Sequence, residues 1–240
     1  MSNTTYDYDN ANRLIEVNGV AYPADAWDDN GNLRNDGVNR YEYDSANRLV
    51  SFSNATTTAS YRYNGLGDRL EETVGENTTT FTMDLNAGLT QALSDGTNNY
   101  IYGVDRIAQN EGGITEYFLG DALGSVRQMT NANAEITYAR AYDPYGVVTG
   151  TNGSSQTSYG YTGEYSGDYN QLVYLRARYY APSVGRFLTK DLWRGNEHSP
   201  ISSITGFTLM HNQSIMLIPV DIFQLGVSLC PINLRMSYVF

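Results

Sequence analysis

The stretch RYEYDSANRLVSFS, residues 40–53, carries the pattern that decides the fold. Tyr41 and Tyr43 are two positions apart, so on a β-strand their side chains lie on the same face. Residues 44–47 are turn-forming types, and residues 48–50 restart an extended run. The stretch therefore predicts a β-hairpin, made of a strand, a tight turn and a return strand.

The same figure occurs twice more, as YDYDNANRLIEV at residues 6–17 and as YRYNGLGDRLEETV at residues 61–74. The copies are unevenly spaced, and the gap between the first two contains WDDNGNLRNDG (27–37), which predicts an additional hairpin. Uneven spacing favours stacked hairpins with variable loops over a strict solenoid. The residues that define the pattern are Tyr6, Tyr8, Asp9, Arg13, Leu14, Tyr41, Tyr43, Asp44, Arg48, Leu49, Tyr61, Tyr63, Arg69 and Leu70.

Aromatic and β-branched segments separated by Asn, Gly and Asp continue to about residue 190, which predicts an all-β fold of stacked antiparallel hairpins. Within this region, GVVTGTNGSSQTSYG (146–160) is typical of an exposed loop, whereas NQLVYLRARYY (170–180) favours a strand. The composition changes near residue 195. Residues 196–240 are apolar and almost uncharged, which indicates a divergent C-terminal tail.

Composition excludes several classes of function. The net charge of -11 lacks the basic footprint that nucleic-acid backbones require, so no nucleic-acid partner is expected. A single cysteine, Cys230, excludes a disulfide within the chain. The apolar runs of the tail are too short for a transmembrane helix, so no membrane insertion is expected. The N-terminal residues have neither the basic nor the apolar region of a signal peptide, which leaves the localisation of this chain open.

Two longer blocks follow the repeats: YFLGDALGSVRQMTNANAEITYARAYDPYGVV (117–148) and GYTGEYSGDYNQLVYLRARYYAPSVGRFLTKD (160–191). Together with the Tyr-x-Tyr-Asp units, they resemble the RHS/YD-repeat proteins and the RHS repeat-associated core that ends their repeat arrays. The resemblance divides the chain into YD repeats (1–75), the core (76–195) and the tail (196–240). Its core signature consists of Gly120, Asp121, Gly124, Tyr142, Asp143, Pro144, Gly146, Arg178, Tyr179, Tyr180, Gly185, Arg186 and Phe187.

The resemblance implies a curved, spiralling β-sheet that forms part of a hollow shell, with the core segment closing one end. It implies a non-catalytic structural role in enclosing or presenting a C-terminal toxin or effector, for secretion or contact-dependent competition. The partners would be that toxin domain or the remaining repeats of a longer protein, at the cell surface or outside the cell. An alternative function is carbohydrate binding or adhesion at the cell surface through rows of tyrosines.

Candidate chemistry is sparse. Asp191 matches an aspartate with which some members of the resembled family cut their own chain, but Leu192 stands where proline is usual and the partner segment is missing. The alternative interpretation is that Asp191 forms a turn or pairs with Arg178, Arg186 or Arg194. Asp28 begins a spacing like that of a calcium loop, but it lacks the closing acid and is interpreted as a hairpin turn. No cofactor or metal is expected, and the chain is predicted not to be an enzyme.

Overall fold

The structure, a computed structural model, describes residues 4–87 and 89–191. Within these ranges the chain forms 20 β-strands and one short 3-10 helix at Tyr161–Gly163. Every strand pair is antiparallel, and within each sheet the strands follow one another in chain order. The sheets described are open at their edges. The all-β prediction of stacked antiparallel hairpins is confirmed.

The strands form four sheets. The first has three strands: β1 (Tyr6–Tyr8), β2 (Leu14–Val17) and β3 (Val20–Ala21). The second has five: β4 (Arg40–Tyr43), β5 (Leu49–Ser53), β6 (Thr58–Tyr63), β7 (Arg69–Val74) and β8 (Asn77–Thr80). The third has eight: β9 (Thr82–Asp84), β10 (Gln91–Ser94), β11 (Asn98–Tyr102), β12 (Arg106–Glu111), β13 (Ile114–Gly120), β14 (Val126–Thr130), β15 (Ile136–Tyr142) and β16 (Val148–Gly153).

The fourth sheet is formed by the last described strands, and we call it the plug sheet. Its strands are β17 (Tyr165–Ser166), β18 (Val173–Leu175), β19 (Arg178–Ala181) and β20 (Arg186–Phe187). Residues 173–175 and 179–181 are all buried, which is unusual for an antiparallel sheet with one wet face. The plug sheet is therefore covered on both of its faces.

Side-chain alternation explains how both faces are covered. Tyr174 and Tyr179 pack in one cluster with Phe52 of the five-stranded sheet. Their neighbours Val173 and Tyr180 point the other way, into a second cluster that includes Tyr161 and Tyr142 of β15. The five-stranded and eight-stranded sheets thus act as two walls around the plug sheet.

The structure corrects two local predictions. The segment 27–37 does not form two paired strands; it makes the isolated bridges Trp27 to Leu33 and Asn35 to Arg40, because its turns follow one another too closely for longer strands. The predicted exposed loop at 146–160 is wrong in its first half, since Val148–Gly153 is strand β16 and pairs with β15 while staying exposed. The strand prediction for residues 170–180 is confirmed in part, since the segment forms two strands, β18 and β19, that are joined by a turn at residues 176–177. The predicted tail, 196–240, lies outside the described residues.

Candidate functional site

The Tyr-Asp unit ends in a turn that its aspartate organises. Asp44 Oδ1 accepts hydrogen bonds from the backbone N–H groups of Ala46 (2.9 Å) and Arg48 (3.0 Å). Asn47 has a positive φ of 61°, and the strand register shifts by one residue just before the turn. This is a type I turn followed by a bulge, a standard connection for a right-handed twisted hairpin. The predicted hairpin is confirmed at this unit.

Among the described residues, the same turn led by Asp or Asn occurs seven times, which is more often than the sequence pattern suggested. In each copy the first residue donates its N–H to the carbonyl of the fifth, and the fourth residue has a positive φ. The copies are 9–13, 28–32, 44–48, 64–68, 121–125, 131–135 and 143–147. Gly124 and Gly146 of the core signature therefore take the place that Asn47 has in a repeat. The core signature and the YD repeats use one structural unit.

The hydroxyls of the second tyrosines join each hairpin to the one before it. Tyr43 donates to the carbonyl of Leu33 (2.9 Å), and Tyr63 donates to the carbonyl of Leu49 (2.7 Å). Arg48 pairs with Asp44 within its own turn (2.6 Å) and donates to the carbonyl of residue 64 in the next turn (3.2 Å). Although burial favours the neutral acid, the hydrogen bond from Arg48 holds the pKa of Asp44 below its ordinary value.

The first tyrosines of the units differ in burial. Tyr41 and Tyr61 are fully buried, whereas Tyr6 and Tyr8 are exposed in the three-stranded sheet. The Asp9–Arg13 ion pair, with its atoms 2.7 Å apart, bridges the first turn. The central repeats therefore do not form rows of exposed tyrosine rings on which a flat ligand could stack.

For the third copy of the repeat, the alignment by sequence letters is one residue out of register with the strand pairing. Tyr63 pairs with Arg69, as Tyr43 pairs with Leu49, so Arg69 occupies the position of the buried leucine. Leu70, predicted to be that leucine, is exposed instead. The reason is that the five-residue turn begins at Asn64 and ends at Asp68, so Arg69 is the first residue after it. The side-chain amide of Asn64 donates to Asp68 (2.8 Å), and this contact replaces the aspartate–arginine pair of the other copies.

Arg69 is consequently a buried cation, with a side chain that is 3% exposed. It forms an ion pair with Glu72 (2.9 Å), whose side chain is also 3% exposed, and donates to the Tyr179 hydroxyl (2.9 Å). The guanidinium carbon lies 4.4 Å from the ring centre of Tyr165 and 4.3 Å from that of Tyr174. Cations are attracted to ring faces at this distance. Arg69 thus links the five-stranded wall to three residues of the plug sheet.

The eight-stranded wall has its own cation at the junction. The guanidinium carbon of Arg106 lies 3.1 Å from the ring centre of Tyr159, and Arg106 donates to the carbonyl of Gly163 (2.8 Å). Nearby, Arg176 of the plug region pairs with Glu164 (2.8 Å), and burial raises the pKa of that carboxyl. Arg69 therefore joins the five-stranded wall to the plug sheet, and Arg106 joins the eight-stranded wall to the segment that leads into β17.

The core-signature turn at Asp143 and Pro144 docks on the second face of the plug sheet. Tyr180, completely buried, donates to the carbonyl of Tyr145 (2.9 Å), and Tyr161 donates to that of Pro144 (2.9 Å). A Cβ on Gly146 would lie 2.5 Å from the Tyr161 ring, so only glycine fits there. This turn and the plug are thus in direct contact.

The remaining signature residues hold the end of the plug sheet. Asp191 pairs with Arg178 (2.9 Å), which confirms the pairing interpretation, and Arg178 also stacks on Phe187 at 3.7 Å. Arg186, which follows Gly185, lies 4.2 Å from the ring centre of Tyr8 in the first repeat. A cutting role for Asp191 stays a prediction. The signature residues therefore meet in contacts between hairpins.

A second repeat escaped the sequence analysis. It reads DGVNRY at residues 36–41 and DGTNNY at 95–100, and the shared pattern is Asp-Gly-x-Asn-x-Tyr. Asp36 accepts from two backbone N–H groups of its own turn and from the Tyr41 hydroxyl (3.0 Å), and Asp95 does the same with Tyr100. The signal was visible in the sequence. The hydrogen bond to the aspartate satisfies each tyrosine hydroxyl, which explains why Tyr41 and Tyr100 can be buried.

Metal and membrane functions find no support in the part of the chain that the structure describes. No cluster of three or more His, Cys, Asp or Glu side chains lies close enough to hold a metal there. Asp28, the start of the candidate calcium loop, uses its carboxylate to accept the backbone N–H (2.8 Å) and side-chain amide (2.9 Å) of Asn32. Among residues 4–87 and 89–191, no helix is long and apolar enough to cross a membrane.

The geometry defines a class of protein in which walls of hairpins pack against a central plug sheet, and comparisons with known proteins show what it resembles. A family model described as the teneurin YD-shell matches residues 107–214. A solved structure, TcdB2-TccC3 without its hypervariable C-terminal region, matches with a TM-score of 0.63 at 18% identity, over 85% of this chain and 11% of that one.

Two curated proteins are also similar in sequence to this chain. A tRNA3(Ser)-specific nuclease WapA of Bacillus spizizenii is 28% identical over 172 residues, covering 68% of this chain and 7% of the relative. A double-stranded DNA deaminase toxin A of Burkholderia cenocepacia is 30% identical over 80 residues, covering 31% and 6%. The chain spans less than a tenth of either relative. These matches confirm the resemblance of this chain to the RHS/YD-repeat shell proteins.

The aspartate of a turn should stabilise the fold more by accepting backbone hydrogen bonds than by its charge. Replacing Asp44 with alanine removes the acceptor of two backbone N–H groups, and we expect a loss of about 1–2 kcal/mol in the free energy of unfolding. Asp44→Asn keeps that acceptor and loses the partly exposed ion pair, so its cost should stay below about 1 kcal/mol. Equilibrium urea unfolding measures both, and equal costs would contradict the assignment.

Proposed function

We propose that this chain is a non-catalytic, structural part of an RHS-repeat shell that encloses or presents a C-terminal toxin or effector. The observation that carries the proposal is the plug sheet, which both walls cover. The signature residues Arg69 and Tyr180, together with Tyr161, join the walls to the plug sheet. Side chains used in this way form a container and are not arranged around a reacting group.

The relatives support the same proposal. One is named for cleaving tRNA and the other for deaminating double-stranded DNA, yet this chain matches 7% and 6% of their lengths. Similarity to small parts of proteins that are named for unrelated reactions is better explained by a common carrier role than by the catalytic part of either protein. The net charge of -11 also disfavours direct binding of nucleic acid.

The partners proposed are a C-terminal toxin domain or the remaining repeats of a longer protein, acting at the cell surface or outside the cell. We retain the division into repeats (1–75), core (76–195) and tail (196–240) as part of this proposal. Glycan binding has less support, because Tyr41, Tyr61 and Tyr180 bury the rings that stacking on a sugar would need.

A direct test of the non-catalytic role uses the purified 240-residue chain. Incubated with tRNA or with double-stranded DNA, it is expected to give no more cleavage or deamination than buffer alone. Turnover of either substrate, in proportion to the concentration of the chain, would contradict the proposal. Circular dichroism of the same sample, with a β-sheet spectrum, establishes that an inactive chain is a folded one.

The role in competition is tested in the organism that carries the gene. A strain with the intact gene should inhibit a susceptible neighbour in contact, and a strain lacking it should not. Fractionation of the same cultures should locate the chain at the surface or in the medium. Equal growth in both pairings, or a chain found entirely in the cytosol, would argue against delivery of an effector.

A further inference from the structure

The chain contains four Asn-Gly pairs, at residues 18–19, 30–31, 64–65 and 152–153. In such a pair the backbone nitrogen of glycine can attack the side-chain amide carbon of asparagine, since glycine has no Cβ to hinder the approach. The rate of an intramolecular attack depends strongly on how close the reacting atoms are held. The fold therefore decides which of the four pairs reacts.

Asn152–Gly153 is the pair in which the structure brings the side-chain amide and the glycine nitrogen together. The N–H of Gly153 donates to the side-chain oxygen of Asn152 at 2.8 Å, so the side-chain amide is folded onto the nitrogen that would attack it. Asn152 is exposed, which gives water and base access. Gly153 has a φ of +104°, and a Cβ there would collide with the carbonyl oxygen of Thr137. The position is therefore restricted to glycine.

In the other three pairs one of the reacting groups is engaged elsewhere. The side-chain oxygen of Asn18 accepts from the N–H of Thr5 (2.9 Å). The side-chain oxygen of Asn64 accepts from two backbone N–H groups of its own turn (2.9 Å each). The N–H of Gly31 donates to the carbonyl of Asp28 (3.1 Å). These pairs are natural controls within the same molecule.

We propose that Asn152 is a site of spontaneous deamidation built into the edge of the eight-stranded sheet. The nitrogen of Gly153 gives its proton to water or hydroxide and forms a bond to the side-chain carbonyl carbon of Asn152. The bond from that carbon to the amide nitrogen breaks, and ammonia leaves with a proton from solvent. The resulting five-membered ring takes up one water molecule and opens to aspartate or isoaspartate. No oxidant or reductant is needed.

The modification changes an edge strand. Strand β16 is paired only with β15 in the described sheet, and all six of its residues, VTGTNG, are exposed and uncharged. Such an edge is a template for pairing with another strand, and charge on an edge opposes that pairing. Deamidation adds a carboxylate to β16, and an isoaspartate also lengthens the backbone opposite Ala139. The reaction therefore slowly reduces the ability of this edge to pair with another strand.

Peptide mapping by mass spectrometry tests the proposal on the full chain, incubated folded in mildly alkaline buffer. The deamidated fraction at Asn152 is expected to exceed that at Asn18, Asn30 and Asn64 several-fold. In concentrated urea the four pairs should react at similar rates, because the fold no longer selects among them. Asn152→Gln should abolish the signal at that peptide and leave the other three unchanged.

Two results would overturn the assignment. One is a folded chain in which Asn152 reacts no faster than the other three pairs. The other is selectivity for Asn152 that persists unchanged in urea, since it would then come from the local sequence and not from the strand geometry. A circular dichroism spectrum of the Asn152→Gln chain identical to that of the parent shows that the comparison is between folded molecules.

Discussion

Replacing Arg69 with alanine is expected to lower the free energy of unfolding by about 3–5 kcal/mol, because it leaves the Glu72 carboxylate buried without a partner. Both side chains are only 3% exposed, so water cannot take the place of the missing cation. Equilibrium urea unfolding of the full chain measures the loss. The matched control is Arg62→Ala, which breaks a 2.8 Å pair with Glu71 in the same hairpin while Arg62 is 79% exposed. That change should cost less than about 1 kcal/mol.

A double variant separates the charge from the packing. Arg69 occupies the position of Leu14 and Leu49, so Arg69→Leu combined with Glu72→Leu supplies the side chain that the other repeats carry there. Replacing a buried ion pair with apolar residues is often neutral or stabilising. The double variant is therefore expected to be more stable than Arg69→Ala. If the two are equally unstable, the buried carboxylate is not the cause of the loss.

The Gly146→Ala change is expected to cost about 2–5 kcal/mol, from two sources that add. A positive φ is disfavoured for alanine by about 1–2 kcal/mol. The new Cβ also meets the Tyr161 ring at 2.5 Å, and overpacking a filled core costs about 1–3 kcal/mol more. Thermal or urea unfolding of the full chain gives the combined loss.

Gly67 provides the control because it holds the same place in another copy of the turn. Its φ of +98° is close to the +95° of Gly146, but a Cβ at Gly67 would meet nothing within 4 Å. Gly67→Ala should therefore show only the backbone cost, about 1–2 kcal/mol. Equal losses at the two glycines would mean that the contact between the Asp143 turn and the plug sheet does not contribute to stability.

The hairpins were predictable because their causes are local. Tyrosines at period two and a five-residue turn led by aspartate specify strand, turn and strand within a few residues of each other. The same logic would have found the turn at 131–135 and the Asp-Gly-x-Asn-x-Tyr repeat. They were missed because the search followed letters, Tyr-Asp and Arg-Leu, and not the hydrogen-bonding role of the turn's first residue.

The buried arginine could not be found in that way. The letters Arg69 and Leu70 match the repeat, and only the pairing of Tyr63 with Arg69 shows that the match is displaced by one residue. The burial of both faces of the plug sheet was also out of reach. NQLVYLRARYY indicated a strand, but which residues cover it depends on walls that lie far away in the chain.

The plug sheet has a consequence for how the molecule is built. The contact of Arg69 with Tyr179 joins residues 110 apart, and that of Arg186 with residue 12 joins residues 174 apart. On a ribosome both walls leave the exit tunnel before the strands that fill the space between them. Chains dominated by such distant contacts fold slowly and pass through stages with exposed apolar surface. Newly synthesised chains are therefore expected to need a chaperone, or rapid completion of synthesis, to avoid aggregation.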